Sequence, residues 1–171
     1  YYGLAEVANY WEQVVRMNDY QQARFVSNML SAMFNTVSGK RIALFGVAFK
    51  ANTSDTRDSP ALKVCRALLE EHAEIVLTDS HALDGARIDL GPDARRVIFE
   101  PDPYAAAAGA HAIAILTEWP SFTTLDYEAI FASMAKPAFI FDGRNILDHS
   151  RLYEIGFNIY AIGKPPRVNG R

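Results

Sequence analysis

One cysteine, Cys65, stands in a chain of 171 residues. It supports no disulfide framework, and such a composition suits a reducing, cytoplasmic setting. No apolar run approaches the roughly 20 residues of a membrane span. Basic residues are not in excess: 17 Lys and Arg stand against 20 Asp and Glu, a formal net charge of -3. That argues against a general nucleic-acid surface, yet it leaves room for a small basic pocket around one anion. His72, His81, His111 and His149 are scattered without ligand spacing, so no metal is expected. The glycine fingerprint G-x-G-x-x-G of a dinucleotide site is absent. The opening YYGLAEVANYWEQ has neither the basic nor the apolar region of a signal peptide and does not begin with Met. The expectation is a piece of a longer product.

Half of the residues are apolar and 22% are charged, which suits one soluble domain with a sizeable core. Residues 4–37 read as one long helix, because Val7, Trp11, Val14, Val15, Phe25, Val26, Met29, Leu30 and Met33 recur near the helical period. A helix of about 30 residues extends roughly 45 Å, more than such a domain covers. It is therefore expected to be a linker or dimer helix with a partner outside the domain, rather than one that only wraps it. The run SGK at Ser38–Lys40 ends it.

Beyond that point the pattern alternates. KRIALFG is a continuous apolar run, hence a strand buried on both faces. SPALKVCRALLEEHA is an amphipathic helix with Ser59 as N-cap and Pro60 in its first position. EIVLTD, RRVIFE, HAIAILTE, AFIFDG and FNIYAIG are strands, DPYAAAAGA, DYEAIFASMA and ILDHSRLYEIG are helices, and GARIDLGPDA is a loop or insertion. The order predicts an α/β fold, a doubly wound and mostly parallel sheet of about six strands behind a long N-terminal helix. Residues 1–38 form the helical part, 39–164 the α/β domain and 165–171 a loose tail.

Ligands of open parallel sheets bind outside the carboxyl ends of the strands. Phe49 and Lys50 end the first strand, Thr117–Trp119 follow the fourth and Arg144 follows the fifth. Cations and an aromatic ring on one edge suit a phosphate-bearing nucleotide, the ring covering a base or sugar and the cations the diphosphate. Asp55 and Asp58 precede the helix at Ser59 and compete with an anion there, so phosphates are assigned to Lys50 and Arg144. Each residue has a plainer reading. Lys50 could be a solvated lysine, Phe49 a core residue, Arg57 a bridge between Asp55 and Asp58, and Arg144 a partner of Asp142 or Asp148. Asp79, at the end of the second strand, is read as a turn or capping aspartate rather than a ribose ligand, since the glycines are missing. Cys65 lies among Leu62, Val64, Leu68 and Leu69 and reads as an inert core thiol. No catalytic residue is assigned.

FGVAFKANTSDTRDSPAL, ILTEWPSF and KPAFIFDGRNILD resemble, in order, segments of the UDP-glucose 6-dehydrogenase family, and the helix segment VANYWEQVVRMNDYQQARF fits as well. The resemblance implies a C-terminal, Rossmann-like UDP-sugar-binding domain preceded by the end of a central dimerisation helix. It implies a parent enzyme that oxidises the C6 alcohol of UDP-glucose to UDP-glucuronate in two NAD-dependent steps. NAD is held by another domain, and the cysteine nucleophile lies outside these residues, so this portion alone is expected to be inactive. Phe49, Lys50 and Arg144 match substrate contacts, Arg57 matches an arginine that reaches the NAD, and the enzyme is expected to be a homo-oligomer. Ala51 stands where many relatives have proline, and TDS at Thr78–Ser80 replaces a more frequent tyrosine-aspartate-proline. Dehydrogenases of UDP-N-acetylmannosamine or GDP-mannose are the neighbouring alternative, and a structural oligomerisation module is another. A phospho-receiver would need an acidic pair where Phe49 and Lys50 stand.

Overall fold

The computed structural model describes residues 4–169. Strands β1 (Arg41–Phe45), β2 (Glu74–Thr78), β3 (Val97–Phe99), β4 (Ala112–Ile115), β5 (Phe139–Asp142) and β6 (Asn158–Ala161) form one sheet in the order β3-β2-β1-β4-β5-β6. Every pair of neighbours is parallel. The strand order reverses between β1 and β4, which makes that junction the topological switch point. Ile42, Ala43, Leu44 and Phe45 of β1 and all of Ala112–Ile115 in β4 are buried, as expected for central strands covered on both faces.

Helix α1 (Ala5–Ala32) precedes the sheet, and α2 (Pro60–Glu70) joins β1 to β2. Ser59 caps α2, its hydroxyl accepting the Ala61 N–H at 3.3 Å, with Pro60 in the first turn. Only the second half of α1 meets the domain. Val26 and Met29 are buried, Asp19 pairs with Lys63 of α2 at 2.8 Å, and Phe25 meets Phe141 edge-on at 6.4 Å. The first half stands clear, with Val7, Tyr10, Trp11 and Val15 exposed. Helices α4 (Pro103–Ala107), α6 (Tyr127–Ser133) and α7 (His149–Ile155) contact one another in sequence as a second layer.

Four expectations need correction. The long helix stops at Ala32 rather than near residue 37. Phe34 and Asn35 take left-handed backbone, and the Lys40 ammonium donates to the carbonyls of Met33 and Thr36, both at 2.6 Å. The stretch 85–94 is not a loop: α3 (Leu83–Leu90) and a 3-10 turn (Gly91–Arg96) occupy it. Its helical signal is only two buried residues, Ala86 and Leu90, one turn apart. A short helix α5 (Pro120–Thr123) follows β4, in a stretch assigned to no element from the sequence. The tail, expected to be loose, is tied to β6 through its described part. Ile159 and Arg167 exchange backbone hydrogen bonds of 2.8 and 2.9 Å, and the Asn169 side chain donates to the Phe157 carbonyl. Residues 170 and 171 of that tail lie outside the described residues, as do residues 1–3 of the helical part.

Candidate functional site

Three loops leave the carboxyl ends of β1, β4 and β5, and one chain of contacts joins them. It begins at Gly46, directly after β1. Gly46 has φ +91, and a Cβ there would lie 2.4 Å from the Thr117 Cβ, so only glycine lets the β1 loop pass so close to the β4 loop. Thr117 then donates its hydroxyl to the Ala48 carbonyl at 2.7 Å. On the other side, the Arg144 Nε–H donates to the Leu116 carbonyl at 2.7 Å. The loops that carry Lys50 and Arg144 are thereby fastened to neighbouring residues of the β4 loop.

Asp79, at the end of β2, anchors the network from beneath. One carboxylate oxygen accepts the backbone N–H groups of Val47 and Ala48, at 2.7 and 3.1 Å, and the indole N–H of Trp119 at 3.1 Å. The other accepts the N–H groups of His81 and Ala82. Five donors satisfy this buried carboxylate, in keeping with the turn role read from the sequence. They also answer whether NAD fits this domain as it fits a dinucleotide-binding one. The acidic group that would hold a ribose is used internally, the fingerprint glycines are absent, and Trp119 fills the neighbouring space. The residues here do not fit a dinucleotide in that position.

The structure separates the candidate residues by their partners. Phe49 is 49% exposed and is no core residue. Its backbone N–H closes the loop on the Asp55 carbonyl at 2.8 Å. Lys50 is exposed, and among the described residues it makes no hydrogen bond or ion pair. Arg57 lies farther along the same loop, its guanidinium gripping the Asp55 carboxylate through Nε and Nη2 at 2.9 and 2.7 Å while remaining 82% exposed. The hydrogen bonds from Arg57 hold the Asp55 carboxyl down at about 2, from an ordinary 3.8, and Asp55 in turn raises the guanidinium. The bridge involves Asp55 alone; no ion pair to Asp58 forms.

Arg144 pairs with neither Asp142 nor Asp148. Asp142 instead accepts the backbone N–H groups of Arg144 and Leu147 and the His149 Nε2–H at 2.8 Å, shaping the β5 loop from inside. Asp148 caps α7. The ionic partner of Arg144 is Glu118, whose Oε2 lies 3.3 Å from its Nε. That contact is electrostatic only, because the N–H is directed at Leu116 and the buried Oε2 accepts no hydrogen bond. Sequence reasoning passed over Glu118 although it sits inside the TEW segment singled out; an acid at one strand end beside a cation at the next was the available signal. Trp119, in contrast, is 4% exposed and stacked under His81 at 4.9 Å, so it cannot cover a base. Phe49 is an exposed ring on this edge.

Cys65 is fully buried, and that burial pushes its thiol up to about 12, which removes it as a nucleophile. No group of His, Cys, Asp and Glu suited to a metal occurs among the described residues. A cavity of about 900 Å³ lies between Arg24, Phe25 and Asn28 of α1 and Phe141, Tyr160 and Lys164, at the carboxyl end of β6. It contains none of the four residues expected at a site.

Residues 43–149 match the UDP binding domain of the UDP-glucose/GDP-mannose dehydrogenase family. UDP-glucose 6-dehydrogenase 4 of Oryza sativa subsp. japonica is 50% identical over 181 aligned residues, covering 95% of this chain and 38% of the relative. A UDP-glucose dehydrogenase structure from Pyrobaculum islandicum superposes with a TM-score of 0.70 at 30% identity, over 88% of this chain and 31% of that one. A UDP-D-ManNAc dehydrogenase structure from Pyrococcus horikoshii gives 0.65 at 30% identity, over 86% and 31%. The chain thus spans about two-fifths of the length of the curated relatives it matches.

Proposed function

The chain belongs to the UDP-glucose/GDP-mannose dehydrogenase family and contains its UDP-binding domain, and from that premise we propose that it binds a UDP-sugar at the carboxyl ends of β1, β4 and β5. The single observation that carries this reading is the fastening of three loops at the switch point around an unpaired Lys50. A free ammonium on a rigid loop is a ready partner for a diphosphate, since its charge is spent on nothing else. Phe49 offers the exposed ring beside it, and Arg144 the guanidinium across the β4 loop.

The parent enzyme, on this proposal, oxidises UDP-glucose to UDP-glucuronate with NAD bound by a domain outside this chain. The part played here is to hold the nucleotide end of the substrate. Arg57 supports a further division of the loop: its guanidinium is exposed and faces outward, able to reach a cofactor held by another domain. The inert Cys65 is not the nucleophile of the proposed reaction, so this portion does not catalyse alone. A lone buried thiol and the absence of a helix long and apolar enough to cross a membrane among the described residues fit a cytoplasmic enzyme.

A homo-oligomer is the second part of the proposal. Leu4 at the N-cap and Val7, Trp11 and Val14 on the free half of α1 recur at alternating steps of three and four, the seam of a helix that meets another helix. The Pyrococcus horikoshii structure is as similar in sequence as the UDP-glucose enzyme, which keeps UDP-N-acetylmannosamine as the alternative sugar. Calorimetric titration of the chain with UDP, UDP-glucose and UDP-N-acetylmannosamine tests the reading. One-to-one binding of UDP is expected, and a folded chain that binds none of the three would contradict it.

A further inference from the structure

Glu118 occupies the middle of the site and is not explained by the fold. Its buried Oε2 accepts no hydrogen bond, and the side chain as a whole is 39% exposed. A carboxylate held near a surface normally finds a donor or full solvation, and a buried oxygen without one is costly. The fold gives it only the Arg144 Nε at 3.3 Å, whose hydrogen goes elsewhere. Arg144, for its part, donates through Nε alone; among the described residues its two terminal amino groups have no partner. The β4 and β5 loops therefore present a partly exposed carboxylate next to two free N–H donor groups, and the orphaned Oε2 itself is reached by a ligand when the side chain turns.

That arrangement differs in kind from Lys50. A carboxylate 3.3 Å from a guanidinium offsets much of its pull on an anion, whereas nothing offsets Lys50. A diphosphate therefore gains more from Lys50. A neutral hydroxyl pair needs both functions at once, because each hydroxyl donates to an acceptor and accepts from a donor. Arginine only donates and glutamate only accepts. We propose that Glu118 accepts a hydrogen bond from a hydroxyl of the bound nucleotide-sugar while Arg144 donates to its neighbour, so that the pair reads a vicinal diol and Lys50 takes the diphosphate. Glu118 is then a specificity-determining residue, and the phosphate role first given to Lys50 and Arg144 together is left to Lys50. The inference rests on the reading of this edge as a nucleotide-sugar site.

The diol could be that of the ribose or that of the hexose, and one set of titrations tells them apart. UDP, 2′-deoxy-UDP and UDP-glucose are titrated by calorimetry into the wild-type chain and into Glu118→Gln, which keeps the shape and removes the charge. A ribose contact gives a roughly tenfold loss of UDP affinity in the variant and no further loss for the deoxy ligand, which is already weaker with the wild type. A hexose contact leaves UDP unchanged and lowers UDP-glucose affinity by the same factor. Either result supports the proposal. Unchanged affinity for every ligand overturns it, as does tighter UDP binding in Glu118→Gln, the outcome expected if Arg144 were a phosphate ligand restrained by its neighbour. Should the variant fail to fold, the wild type alone decides: equal affinity for UDP, 2′-deoxy-UDP and UDP-glucose shows that no diol is read. A wild type that binds no UDP removes the site reading itself, whereas UDP binding that depends on Lys50 but not on Glu118 removes only this inference.

Discussion

The Trp119 indole N–H donates to the Asp79 carboxylate at 3.1 Å and so joins the ends of β4 and β2 across β1, the strand between them in the sheet. The same carboxylate oxygen holds the Val47 and Ala48 N–H groups of the loop that leads to Lys50. Asp79→Asn replaces an acceptor by a donor that faces other donors. The change should cost about 3 kcal/mol of folding stability, or about 6–12 °C in Tm for a chain of this size. Urea denaturation measures it, and a variant as stable as the wild type would show that the network does not hold the loop.

Lys50→Ala should weaken UDP and UDP-glucose binding roughly tenfold to a hundredfold, the range of a charge-assisted hydrogen bond. Because Lys50 is exposed and unpartnered, the thermal midpoint should not move. Calorimetry and a melt on the same sample separate the two effects. Equal affinity in variant and wild type would place the diphosphate elsewhere.

Arg57→Ala should leave UDP affinity of this chain unchanged and lower NAD affinity in the full-length enzyme. A local pH signature accompanies it. The folded Asp55 carboxyl sits at about 2 against an ordinary 3.8, so the bridge supports the fold above about 3.8 and is lost as pH falls through 2. With the Arg57 side chain removed, the Asp55 carboxyl resonance should titrate above 2 and toward 3.8 in NMR, still lowered by the backbone N–H that alanine retains. A titration that stays near 2 would assign the shift to some other group.

Trp11→Glu combined with Val14→Lys places opposite charges on the free seam of α1. Sedimentation velocity should show dissociation to monomer with the sheet domain intact, since neither residue touches that domain. A wild-type chain that sediments as a monomer would instead leave the exposed seam to a different partner.

Much of the fold is legible in the sequence. The apolar runs Ile42–Phe45 of β1 and Ile75–Leu77 of β2 mark central strands because each of these residues is buried on one face or the other. Ser59 and Pro60 mark the start of α2 by local chemistry alone. Short elements carry too few buried positions to signal themselves; α3 needs only Ala86 and Leu90. The site divided in the same way. Position at a strand end is legible, so Phe49, Lys50 and Arg144 could be assigned to one edge. Partnership is not legible: Arg144 meets Glu118 rather than the nearby Asp142 or Asp148, and Trp119 turns inward to Asp79. Both depend on how the β2, β4 and β5 loops cross in space, which separations of 26 and 40 residues conceal.

Backbone amide mapping of the chain during titration with UDP-glucose tests the central claim most directly. Binding at the carboxyl edge requires the largest shift changes at Val47–Lys50, Leu116–Trp119 and Gly143–Asn145, with Lys50→Ala abolishing them at the same ligand concentration. Changes centred instead on Gln21, Arg24, Asn28 and Tyr160, which line the 900 Å³ cavity beside α1, would contradict it.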